Sequence, residues 1–161
     1  AISLIPQPAP RSGKSIGRSW LLDARGDTMD CCFGAFTKEE SAAGFAQLIP
    51  VWEKGLALLK DGLKNVKTKA ADDEYGNAEV CLGCWRSVNN LFRIDALREN
   101  WSDDKRDAYN AVAADELANV KRALPFVERD PRQGYHIEAH GYMFNAEMLK
   151  TKIANLEQQL R

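Results

Sequence analysis

Apolar residues recur at spacings of three and four over most of the chain after residue 36, which predicts helices rather than strands. The first such stretch begins at Thr37, where Thr37 and Glu40 form a capping-box pair. Pro50 falls inside it and should kink the helix or split it in two, because proline removes one intrahelical hydrogen bond. The apolar positions that give this stretch its helical spacing are Phe45, Leu48, Ile49, Trp52, Leu56, Leu59 and Leu63.

Three further helices are predicted after the first. The second runs from about Asp73 to Asn100, the third is capped by Ser102 and weakens near Pro125, and the fourth starts at Asn145 as its cap. Their expected buried positions are Cys81, Cys84, Trp85, Val88, Leu91 and Phe92, then Tyr109, Val112, Leu117, Val120 and Leu124, then Ala146, Leu149, Ile153, Leu156 and Leu160. Short connectors between four helices predict an all-α fold, namely an antiparallel bundle.

The first 36 residues lack this periodicity, because prolines and glycines interrupt any long regular element. We therefore expect an extended N-terminal arm over residues 1–36 and a helical bundle domain over residues 37–161. Exposed apolar surface is expected along the arm if a partner normally covers it.

The bulk composition narrows the possible partners. A chain of 161 residues suits one domain, and a formal net charge of -1 gives no broad field that would attract nucleic acid. The sequence contains no run of roughly 18 to 20 apolar residues, so a membrane is not an expected partner either.

The four cysteines, Cys31, Cys32, Cys81 and Cys84, are compatible with two disulfides, a metal site or neither. Cys81 and Cys84 lie in an apolar helical pattern, which favours burial of both as small hydrophobic side chains. A zinc site would have to combine this pair with two adjacent cysteines, which is not the usual ligand spacing.

The segment from Asp130 to Asn145 differs from the rest, because it concentrates aromatic residues and both histidines between two helices. Three interpretations remain open: histidines that fix a compact loop, ligands of a metal ion, or a surface that binds a sugar or a protein. We expect no cofactor. The candidate binding residues are Arg132, Tyr135, His136, Glu138, His140 and Tyr142.

Polar residues elsewhere offer weaker candidates. Arg86, Asn90 and Arg93 share one side of the second helix, where they either grip a ligand or form ion pairs between helices. The acidic pairs Asp72-Asp73, Asp103-Asp104 and Asp115-Glu116 are expected at helix caps or on solvated faces. No catalytic residue is therefore predicted.

Several motifs resemble the C-terminal helical region of large bacterial glycoside-hydrolase-like proteins, of the α-glucuronidase-like and hexosaminidase-like kind. The resemblance spans roughly residues 40 to 160. Its motifs are Trp52 to Leu56, Arg93 to Arg98, Asp115-Glu116 with Asn119, and the run from Asp130 to His136 continuing through Gly141 to Met143.

This resemblance implies a non-catalytic accessory domain that packs on a catalytic barrel or contributes to glycan recognition through residues 130–144. It also implies an exported protein, periplasmic or secreted. The barrel itself is missing from the sequence, so no catalytic role passes to any residue here. Two alternatives remain, a self-sufficient helical protein–protein interaction module and a small metalloprotein that uses the two histidines.

Overall fold

The computed structural model describes residues 7–11, 34–133, 135–137 and 141–161, and for 135–137 and 141–143 we use the backbone alone. Its regular elements are α1 (Lys38–Leu63), α2 (Lys69–Glu99), a 3-10 turn (Asp103–Lys105), α3 (Arg106–Arg129), β1 (Tyr135–Ile137), β2 (Gly141–Met143) and α4 (Ala146–Gln159). The predicted all-α fold is confirmed: four helices account for most of the chain, and the two three-residue strands form one small hairpin.

Most helix ends follow the predicted chemistry. Thr37 and Glu40 form the expected capping box of α1, and the Asn145 side chain accepts a hydrogen bond from the backbone of Met148 at the start of α4. Ser102 precedes the 3-10 turn but makes no side-chain capping bond, so this predicted cap is wrong. The 3-10 turn separates Ser102 from α3, which begins only at Arg106.

Neither internal proline ends its helix. The helix α1 continues through Pro50 to Leu63, and α3 continues through Pro125 to Arg129. Of the two outcomes predicted for Pro50, the split of α1 is therefore excluded. Each proline removes one backbone hydrogen bond, and packing along the rest of a helix of 24 or 26 residues outweighs that loss.

The core lies where α2, α3 and α4 meet, and neighbouring helices run antiparallel. Its fully buried side chains include Ile94, Tyr109, Val120, Leu149 and Leu156. Because these helices pack closely, a Cβ added to a core glycine of α2 would lie only 3.1 Å from the Cβ of an α3 alanine.

The helix α1 lies outside this core and packs mainly on α2. Phe45 contacts Phe92 with ring centroids 5.6 Å apart, and Trp52 meets Trp85 edge to face at 4.3 Å. Among the seven predicted apolar positions of α1, Leu56 is buried, Leu48 is exposed and the other five are partly buried. Packing against one main neighbour covers only a narrow face of a helix.

The described part of the N-terminal arm is attached to the end of α2. The Arg98 guanidinium donates to the carbonyl of Ala9 at 2.8 Å, and Arg11 pairs with Asp95 at 3.2 Å. Lys38, at the start of α1, pairs with the same Asp95 carboxylate. These contacts fix residues 9–11 beside the first turn of α1.

The cysteine prediction is correct for one of the two described thiols. Cys84 packs against the core, whereas Cys81 is exposed, because α3 and α4 cover α2 at the position of Cys84 and leave the Cys81 side open. Cys31 and Cys32 lie outside the described residues. None of the helices in the described ranges is long and apolar enough to cross a lipid bilayer.

Candidate functional site

The predicted recognition segment contains an antiparallel hairpin between α3 and α4. Its register places Tyr135 opposite Met143 and His136 opposite Tyr142. Cross-strand neighbours on one face of a hairpin lie about 5 Å apart, so the backbone brings one predicted histidine and one predicted tyrosine together. Glu138 and His140, the other two predicted ligands of this segment, lie outside the described residues.

Arg132 is the predicted binding residue whose side chain is described, and it is exposed. Its guanidinium makes a two-point contact with Asp130, Nε to Oδ1 at 2.9 Å and Nη2 to Oδ2 at 2.7 Å. This contact holds the pKa of the Asp130 carboxyl well below its usual range. Arg132 therefore fixes the path of the chain between α3 and the hairpin.

A surface cavity of about 420 Å³ lies next to this ion pair, where the start of α2 meets the end of α3. Charged side chains of both signs line most of it. They include Lys67, Lys69, Asp72, Arg129 and Arg132. Lys69 already pairs with Asp73 at 2.5 Å, and Arg129 donates to the backbone carbonyl of Asp72 at 2.7 Å, so the lining is largely committed to internal contacts.

A buried polar cluster joins α2, α3 and α4 within the core. Lys152 Nζ donates to Glu116 Oε1 at 2.5 Å, and each of these side chains is only 1% exposed. Ser87 donates to the same carboxylate oxygen at 2.5 Å, while Asn90 and Asn119 donate to the other at 2.9 and 3.4 Å. The carboxylate thus has four donors and is well satisfied.

This cluster has a structural role rather than a catalytic one. Burial lowers the pKa of the Lys152 ammonium, and the Glu116 carboxylate opposes that shift. Burial also raises the pKa of the neighbouring Cys84 thiol to about 12, so the sulfur stays protonated and weakly nucleophilic at neutral pH. Because the side chains of Lys152 and Glu116 are each only 1% exposed, a substrate has no access to this ion pair.

The predictions for the polar residues of α2 and for the acidic pair of α3 are partly right. Arg86 pairs with Glu53 of α1 and Arg93 pairs with Asp115 of α3, so the row on α2 does connect helices, as one alternative predicted. The expectation that the pair of residues 115 and 116 lies on a solvated face is wrong for Glu116. It is fully buried because Lys152 of α4 supplies the opposite charge.

Among the described residues, α1 carries a face of exposed apolar side chains. Six exposed residues follow one another at spacings of four and three, and we call this set the α1 stripe. Its large members are Leu48, Val51 and Leu58, which are 37%, 67% and 74% exposed. The complete stripe is Gly44, Leu48, Val51, Gly55, Leu58 and Gly62.

All three glycines of α1 belong to the stripe. A Cβ added at Gly44, Gly55 or Gly62 would meet no atom of the described residues within 4 Å, so packing among those residues does not require a glycine at these positions. Each glycine in a helix interior costs about 1 kcal/mol relative to alanine. The α1 stripe therefore combines glycines that weaken the helix with exposed apolar surface that a partner would cover.

The helical pattern of apolar residues does not predict this stripe, because glycine does not count as an apolar position. Exposed apolar residues were expected along the arm, where Phe36 is 68% exposed, but the described apolar surface lies mostly on α1. The signal for the stripe is the regular spacing of three glycines with three large apolar residues.

Two searches bear on metal binding and on ancestry. Among the described residues, no three histidine, cysteine, aspartate or glutamate side chains converge to hold a metal ion. Comparisons with protein-family models, curated proteins and solved structures found no match to this chain. The resemblance to glycoside-hydrolase-like helical regions therefore rests on the sequence motifs alone and stays a prediction.

Proposed function

We propose that this chain is a non-catalytic helical docking module that binds a protein surface through the α1 stripe. The observation that carries the proposal is the stripe itself: three large apolar side chains are exposed beside three glycines, and no described atom occupies the space of a side chain at those glycines. An amphipathic helix that presents such a row to a partner is a common mode of protein recognition.

The rest of the domain supports the docking role by holding α1 in place. Its inner face is fixed to α2 by the paired tryptophans Trp52 and Trp85, and its first turn is fixed by Lys38, which contacts Asp95 and Glu99. These contacts preorganise the outer face, so binding does not have to order the helix.

Photo-cross-linking tests the docking role without knowledge of the partner. A benzophenone amino acid replaces Leu58 in the stripe or, as a matched control, Ala46, which is exposed on α1 but outside the stripe. Irradiation in the native host should give a cross-linked protein product from position 58 and little from position 46. Absence of any intermolecular product from position 58 would contradict docking through this face.

Glycan recognition near the hairpin is the second candidate role. The cavity of about 420 Å³ beside Arg132 favours it, because the cavity adjoins the segment with the predicted tyrosines and histidines. Sugars suit surfaces that combine aromatic faces with directed hydrogen bonds. Alanine substitution of Tyr135 and His136 should abolish binding on a glycan array, and unchanged glycan binding would exclude this role.

The wider context is also a proposal. An accessory domain of a carbohydrate-processing protein would pack against a catalytic barrel, and the α1 stripe offers it an apolar contact surface. The parent open reading frame tests this point directly. A stretch upstream that encodes a barrel supports it, and an unrelated neighbour or none contradicts it.

A further inference from the structure

The α1 stripe is complementary to itself when two copies run antiparallel. Suppose that a two-fold axis passes between the two helices at the height of residue 53. Position n of one helix then faces position 106 minus n of the other. Leu48 then faces Leu58, Val51 faces Gly55, and Gly44 faces Gly62. All six members of the stripe find a partner in this one register.

The sizes of the paired residues fit as well as their positions. Val51 of each copy enters the space that the missing side chain of Gly55 leaves on the other, since a Cβ there would meet no described atom within 4 Å. The two Leu48–Leu58 pairs flank this centre and cover side chains that are 37% and 74% exposed. The glycine pair at each end lets the helices approach closely, as small residues do at helix contacts.

The helix dipoles favour the antiparallel over the parallel arrangement. Two antiparallel helices set the N-terminus of each beside the C-terminus of the other, so the two dipoles oppose each other, whereas a parallel pair sets like ends side by side. The charged side chains at the end of α1 add little to this preference, because Lys64 already pairs with Asp61 at 2.9 Å.

We propose that the partner of the α1 stripe is a second copy of this chain, bound as an antiparallel two-fold dimer in which Val51 packs on Gly55. This inference rests on the docking role proposed above. The two-fold arrangement uses the same patch on both subunits, as a closed dimer requires. The stripe extends for about 27 Å along a single helix, and we expect the dimer to dissociate on dilution.

Charge complementation across the axis tests both the dimer and its register. Leu48→Lys and Leu58→Glu are studied alone, as an equimolar mixture, and combined in one chain, by sedimentation over a range of concentrations. Each single variant should associate at least about 100-fold more weakly than the wild type, because the two-fold symmetry removes both Leu48–Leu58 contacts at once. Ala46→Glu, outside the stripe, should associate like the wild type.

The mixture and the double variant should both recover association, because the introduced lysine and the introduced glutamate then face each other across the axis. Circular dichroism of every variant confirms that the helices are intact. A wild-type chain that stays monomeric at all concentrations overturns the dimer, and a dimer that the mixture fails to recover overturns the antiparallel register. If position 58 cross-links to a different protein instead, the docking role stands and the dimer is overturned.

Discussion

Replacement of Lys152 by methionine should destabilise the fold strongly while removing little volume. The carboxylate of Glu116 would stay behind with a side chain 1% exposed and no cation. Breaking a buried ion pair in this way typically costs about 3 to 5 kcal/mol. Ser87, Asn90 and Asn119 still donate to the carboxylate, so we expect the lower end, about 3 kcal/mol.

The assay is equilibrium unfolding in urea, with Lys121→Met as the matched control. Lys121 also joins α3 to α4 through an ion pair, with Glu157 at 2.6 Å, but it is 50% exposed, so its loss should cost less than about 1 kcal/mol. Adding Glu116→Gln to Lys152→Met should recover at least about 2 kcal/mol, because no buried charge remains. A loss below about 1 kcal/mol at pH 7 for Lys152→Met alone would refute the account of the buried cluster.

Three further predictions concern packing, ionisation and metal content. Gly83→Ala should cost up to about 2 kcal/mol in urea unfolding, because a Cβ 3.1 Å from the Cβ of Ala123 causes crowding of about 1 to 3 kcal/mol, and alanine offsets about 1 kcal/mol of it by favouring the helix; a variant more stable than the wild type would contradict the close α2–α3 packing. Burial raises the pKa of Tyr109 to about 12, so above pH ~10 the unfolded state loses its proton first and stability falls as the pH rises. Tyr109→Phe should reduce that fall, measured as urea unfolding at high pH, and an unchanged fall would point to other groups. Elemental analysis of the purified chain should find no stoichiometric zinc, iron or copper, and a bound metal would favour the metalloprotein alternative.

Local sequence rules predicted the fold well because most of the helices depend on local features. The capping residues Thr37 and Asn145 make bonds to backbone groups three residues away, so the sequence alone contains both partners. The hairpin from Tyr135 to Met143 escaped prediction as a strand pair, because each strand has only three residues and no period can be read from it.

Contacts between residues that are far apart in the sequence explain what could not be predicted from it. Glu116 and Lys152 are separated by 36 positions, and nothing local indicates that two charged residues will meet in the core. The exposure of Leu48 could not be predicted either, since Leu48 and Leu56 follow the same apolar pattern but only Leu56 is buried. Which side of an apolar helix is covered depends on how many neighbours it has, and α1 packs mainly on one.

Substitution of Gly55 by leucine tests the central claim, that the outer face of α1 is reserved for a partner. The new side chain meets no described atom of its own chain, and leucine favours a helix over glycine by about 1 kcal/mol, so the dilute monomer should melt at a higher temperature. The same side chain would occupy the space that receives Val51, so association at high concentration should be lost. A Gly55→Leu chain that associates as strongly as the wild type would contradict the claim.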